Sequence, residues 1–170
     1  IPKHTKGSYA KIILISHPQH ITKLDIEDDS ALIVSTDWLV WRQVVEMGGH
    51  CLHLEAMLGN YDGATNFFLQ CSNWVYVDEI DVTNFQGMSL GKAFNREVEL
   101  TLLSFEKARV SVSAFCEFYQ VKLIILYDLR GDYGLIDSPM KRLIVKSVSE
   151  KLGIESDIQL SEPPDYDPAF

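Results

Sequence analysis

KIILIS, residues 11–16, with His17 directly after it, is the stretch that decides the fold. Four aliphatic residues run without a polar interruption. That suits a strand buried on both faces better than one with a wet side. Three more segments have the same build: ALIVS (31–35) before Thr36 and Asp37, CLHL (51–54) before Glu55, and KLIILY (122–127) before Asp128. Helical patterns lie between them. Buried strands alternating with helices predict one mainly parallel sheet, since parallel neighbours need long crossover connections. Ligands of such sheets bind beyond the carboxyl ends of the strands. His17, Thr36 and Asp128 therefore fall on one edge, which is expected to border the largest polar concavity.

Working outward, residues 1–9 read as an unstructured lead, and His17 to Ser30 as a polar loop. Trp38, Leu39, Trp41, Val44 and Val45 recur at helical spacing, with Thr36 or Asp37 as cap and Gly48-Gly49 as terminator. After the turn LGNYDG a helix is predicted over about 63–74. VYVDEIDV alternates, which fits an edge strand or an exposed extended segment. Leu90, Phe94, Val98, Leu102, Phe105, Val112, Phe115 and Phe118 predict a long helix from Ser89 to Tyr119. Thirty residues would span about 45 Å, so a break is expected, at the β-branched stretch Arg109–Ser113. Ser138-Pro139 opens a further helix that runs to Leu152, with Gly153 beyond it. Ile154–Ser161 fits a short fifth strand. The fold class is a three-layer α/β sandwich of Rossmann or flavodoxin type. Residues 10–161 form its single domain, and the Pro-rich, acidic 162–170 form a linker or tail toward a second domain, should one follow.

The chain has 170 residues and a formal charge of −9. That opposes a nucleic-acid-binding surface, which needs a basic stripe to neutralise phosphates. It does not oppose a local basic pocket for a phosphate or sugar nucleotide. Cys51, Cys71 and Cys116 make an odd set without CxxC, so buried free thiols of a reducing compartment are expected. No apolar run approaches the ~20 residues of a membrane span, and IPKHTKGSYA has no signal-peptide core. These features predict a cytoplasmic protein.

Four clusters bear chemistry. His17 and His20 follow the first strand, where an imidazole can serve as general base; the plain alternative is a capping histidine and a solvated one. Ser35, Thr36 and Asp37 can hold a ligand at a helix start, though Asp37 repels phosphate and ordinary capping explains all three. Asp128, Arg130, Asp132 and Tyr133 lie in a loop with Gly131 and Gly134, where arginine can clamp a phosphate or carboxylate. The same segment can equally be an ordinary Asp/Gly loop. His50, Cys51 and His53 have zinc-binding side chains, but strand alternation separates His50 from the other two, so no metal site is expected. Trp38 and Trp41 could stack on a sugar, yet at helical spacing they read more readily as core. There is no GxGxxG after the first strand, no phosphate-binding P-loop and no GxSxG.

Taken together, KIILISH, ALIVSTDWLVWRQVVEMGGHCLHLE, AFNREVELTLLSFEKARVSVSAFCEFYQ feeding KLIILYD, and SPMKRLIVKSVSEKLGI resemble the N-terminal half of a glycosyltransferase with two Rossmann-like domains. This is the GT-B arrangement of bacterial surface-polysaccharide enzymes. The resemblance spans most of residues 10–160. It implies an acceptor-binding domain, with the nucleotide-sugar donor held mainly by a C-terminal partner domain. It implies that this piece alone is not a complete catalyst and that the enzyme works at the inner face of the membrane. His17 is the one position it marks as a base; Asp128 is the other candidate. No cofactor is firmly implied beyond a nucleotide sugar as co-substrate. Two other readings stand beside it. One is a non-catalytic interaction or regulatory domain. The other is a small nucleotide- or phosphate-binding enzyme that uses the Asp128–Gly134 loop with Mg²⁺.

Overall fold

The computed structural model describes residues 9–58, 75–131 and 137–163. Its centre is a five-stranded, all-parallel sheet. The strands are β1 (Lys11–Ile15), β2 (Ala31–Ser35), β3 (Cys51–His53), β8 (Leu123–Leu129) and β9 (Glu155–Ser161), in the spatial order β3-β2-β1-β8-β9. The expected sheet is therefore present, and Ile154–Ser161 does supply its fifth strand. The pairings Ile13↔Ile33 and Ile13↔Ile125 set the register at its centre.

Strand alternation sorts the aliphatic side chains onto two faces. Ile12, Leu14, Leu32, Val34, Ile124 and Leu126 face α3 (Asn95–Tyr119) and α4 (Ser138–Leu152). Ile13, Ile15 and Ile33 share a second core with Val40 and Val44 of α1 (Trp38–Glu46) and with Ile21 of a 3-10 helix, Pro18–Lys23. Helical layers on both faces make the three-layer α/β sandwich of Rossmann or flavodoxin type. Burial on both faces explains why the central strands read as unbroken aliphatic runs. β9, at the edge, is mostly exposed and carries Glu155 and Asp157, charges that discourage edge-to-edge pairing.

Several local expectations are corrected. The loop after β1 begins as the 3-10 helix, with proline in its first turn and the His17 Nδ1 accepting from the Gln19 amide at 3.3 Å. β3 stops at His53. β8 starts later and ends later than its aliphatic core, because β9 pairs with it as far as Leu129↔Ser161. Asp128 is thus a strand residue and not the first residue of a loop. The long helix breaks at Phe94, between α2 (Leu90–Ala93) and α3, and not at Arg109–Ser113. There Val112, Phe115 and Cys116 are packed against the sheet, and burial overrides weak β-branched propensity. The alternating stretch after Val75 folds as two antiparallel hairpins instead of an edge strand: β4 (Tyr76–Val77) with β5 (Ile80–Asp81), and β6 (Asn84–Phe85) with β7 (Met88–Ser89). Their two-residue turns, Asp78-Glu79 and Gln86-Gly87, have positive φ at both positions, which gives the twist a tight hairpin needs.

Asp37 caps α1, accepting from the Leu39 and Val40 amides. Asp137, not Ser138, caps α4 by accepting from the Met140 amide, which frees the Ser138 hydroxyl for another partner. The predicted helix over 63–74, Cys71, Asp132 and Tyr133 lie outside the described residues. Cys51 and Cys116 are buried and free.

Candidate functional site

The chain goes from β1 outward to β2 and β3, then returns past β1 to β8 and β9. The order reverses between β1 and β8, and the crevice beyond their carboxyl ends is where open α/β sheets bind ligands. Ile15 pairs with Tyr127, so Ser16 and Asp128 stand next in register at that crevice.

On the α3/α4 face, the first turns of α4 meet the strand ends. Lys141 Nζ donates to Ser16 Oγ at 2.9 Å and is buried. Ser138 Oγ donates to Asp128 Oδ2 at 2.5 Å, the Leu129 amide donates to Oδ1 at 3.0 Å, and Arg142 Nε stands 3.7 Å from Oδ2. Asp128 is 0% exposed. A carboxylate this enclosed, with both oxygens engaged, anchors the start of α4. Ser138, Lys141 and Arg142 fall at i, i+3 and i+4, one face of a helix. Ser16, Thr36, Leu54, Val112, Lys141 and Ile144 border a cavity of about 30 Å³, room for one water.

The other face carries the histidines. With Nδ1 of His17 accepting the Gln19 amide, the neutral tautomer carries its proton on Nε2. Acting as a base through Nδ1 would require release of that amide. His20 is not solvated, as the plain reading of it expected: it is 0% exposed, with its ring 5.9 Å from that of Tyr127 and 6.1 Å from that of His17. Burial first, then Lys23, His17 and Lys141, lower its pKa to about 4, so it is neutral at physiological pH. Lys23 Nζ lies 5.6 Å from the Tyr127 ring centroid and donates to Ser161 Oγ at 2.6 Å. An open depression of about 410 Å³ lies beside this 3-10 helix, lined by Pro18, Ile21, Thr22, Gln43, Glu46 and Met47.

The structure thus brings Ser16, His17, His20 and Asp128 to one edge. It keeps Ser35 and Asp37 one strand further out, while Thr36 reaches the end of β1 and the cavity beside Ser16. The Ser35 hydroxyl accepts from the Asp37 amide at 3.1 Å and donates to the Asp37 carbonyl at 2.9 Å; the Thr36 amide donates to the Ile15 carbonyl at 3.2 Å. These contacts describe a tightly turned helix start. Arg130 forms an exposed ion pair with Glu162 at 3.0 Å. Trp38 is not core: it is 58% exposed and stacks on His53, with ring centroids 3.7 Å apart and planes at 3°. Trp41 is the partly buried one, its Nε1 donating to the Cys51 carbonyl at 3.0 Å. Lys23, Ser138, Lys141 and Arg142 were missed by sequence reasoning. The string SPMKR after the reversing strand carried the signal, because it puts a hydroxyl and two cations on one face of a helix start.

Among the described residues, no cluster of three or more His, Cys, Asp or Glu is placed to hold a metal ion, and no helix is long and apolar enough to cross a membrane. Compared with protein-family models, with curated proteins and with solved structures, the chain matches none. Fold and site define a Rossmann-like α/β domain whose polar and cationic side chains gather where its strand order reverses.

Proposed function

We propose that this chain is the acceptor-side domain of a sugar transferase of envelope polysaccharide synthesis, and that it binds an anionic saccharide at the β1–β8 edge. A partner domain would hold the nucleotide sugar. One observation carries the reading. In a chain of net charge −9, Lys23 and Lys141 gather with Ser16 and His17 around the ends of β1 and β8, where Arg130 and Arg142 lie beside Glu162 and Asp128. Such a local positive field draws in anionic ligands despite the overall charge. His17 donates to the ligand through Nε2, or takes the acceptor proton once released from the Gln19 amide. Asp128 holds Ser138, and through it the α4 turn that presents Lys141. Exposed Trp38, on the same edge, offers a flat apolar face to a sugar ring.

Ligand-detected NMR with sugar phosphates, nucleotide sugars and neutral oligosaccharides tests the reading. Phosphorylated saccharides should bind, and His17→Ala should weaken them about tenfold, the loss expected for one charge-assisted hydrogen bond. Absence of binding by every compound at millimolar concentration would sink it.

A second reading, an interaction or regulatory domain, is favoured by the hairpins. Val77, Ile80, Val82, Phe85 and Met88 are all exposed. Apolar side chains gathered this way mark contact surfaces. Under that reading Phe85→Ser with Met88→Ser alters the association state and leaves ligand binding intact.

A further inference from the structure

His20 is fully buried, yet neither ring nitrogen has a hydrogen-bond partner among the described residues. A buried polar group left unsatisfied is costly, and the great majority in native proteins are paired. The histidine is not there for packing, which an aliphatic side chain would do better. Among the described residues, the ionisable side chains that bear on its ring, Lys23, His17 and Lys141, are basic. They come from the 3-10 helix, from its cap and from α4. Among the described residues, Asp128 is engaged by Ser138 and the Leu129 amide, Asp137 by the Met140 amide and Glu162 by Arg130.

The 3-10 helix Pro18–Lys23 that carries His20 is lightly held. Ile21 is its buried aliphatic anchor. Its side-chain ties to β9 and the residue after it are Lys23 Nζ to Ser161 Oγ at 2.6 Å and Gln19 Nε2 to the Glu162 carbonyl at 3.3 Å, both exposed. Short 3-10 segments have poor hydrogen-bond geometry and open at low cost.

We infer that His20 is a recognition residue for a phosphoryl group, and that the 3-10 helix Pro18–Lys23 is the strap that brings it to a ligand entering between β1 and β8. The inference rests on the proposed placement of the ligand at that edge and names the ligand's charged part. The donors on the histidine face are the His17 and His20 rings and Lys23. They match the three oxygens of a phosphoryl group, where a carboxylate has two. An incoming phosphoryl group would give the His20 ring the acceptor it lacks and would meet the Lys23 ammonium.

The test uses four probes on the chain: inorganic phosphate, uridine 5′-diphosphate, unphosphorylated glucose and glucuronate. Nitrogen-detected NMR follows the His20 ring, and calorimetry gives affinities for wild type, His20→Leu and His20→Gln. Phosphate and the diphosphate should shift the His20 ring nitrogens, and glucose should not. His20→Leu should lose at least tenfold in affinity for both anions while its Tm stays at or above wild type. His20→Gln, which keeps a donor, should recover part of the loss. Unchanged anion affinity in His20→Leu, or ring nitrogens unmoved at saturation, overturns the inference. If His20→Leu does not fold, the ring-nitrogen shifts of the wild type decide. Should glucuronate, an anionic sugar without phosphate, bind while inorganic phosphate and the diphosphate do not, this inference falls and the proposed function survives. If no saccharide or anion binds, both fall.

Discussion

Acid should destabilise this protein in a pH window set by His20. The perturbation is a fall in pH from 7 to 4. The unfolded chain takes up this proton from about pH 6.5 downward, the folded chain only near 4, because burial disfavours the imidazolium. Stability is therefore full above 6.5, declines between 6.5 and 4, and levels off below. The gap is about 2.5 pH units, each worth ~1.4 kcal/mol, so the whole effect is ~3.5 kcal/mol. That is a large share of the ~5–15 kcal/mol of a typical domain. Urea unfolding followed by tryptophan fluorescence at several pH values measures it. His20→Leu, of similar volume, removes this titration and the two unsatisfied nitrogens together. It should be more stable than wild type by about 1–3 kcal/mol at pH 7, and its advantage should grow on acidification. If wild type and variant lose stability in parallel from pH 7 to 4, His20 is not buried as a neutral ring and the reasoning fails.

Below that window lies a second acid step. The Lys11 hydrogen bond first, then those from Ser30, lower the Asp28 pKa to about 2. Its contribution is present above about pH 3.8 and is lost as pH falls through 2, and Asp28→Asn should abolish that step in an acid titration of the folded fraction. Asp128→Asn places an amide against the Ser138 hydroxyl and the Leu129 amide, and should cost about 1–3 kcal/mol in chemical denaturation; a neutral result would show that Asp128 does not anchor α4. Gln120, at the end of α3, has φ 56. Gln120→Gly should stabilise by about 0.5–1 kcal/mol, seen as a raised Tm. Burial pushes the Cys51 and Cys116 thiols up to about 12, so neither should react with a bulky thiol reagent in native protein at pH 8, whereas both should in urea.

The sequence by itself determined the sheet. KIILIS, ALIVS and KLIILY can satisfy their burial in one arrangement only, between two helical layers, and that period of burial is written residue by residue. It also determined the edge where His17 and Asp128 lie, since each follows or ends a parallel strand. Local chemistry was legible where a cap or breaker acts on its own neighbours, as with Asp37 and Gly153. Other features came only with tertiary structure. Whether Asp128 faced solvent depended on β9 extending the pairing to Leu129 and on Ser138 reaching down from α4, groups 10 and 33 positions away. Whether His20 was wet or buried depended on the 3-10 helix folding back over Tyr127. Trp38 and Trp41 share one helical pattern, yet one stacks in the open on His53 and the other is partly buried. Periodicity tells which side chains share a face, but burial of a given group depends on distant segments packing over it, and a single sequence carries no local signal of that packing.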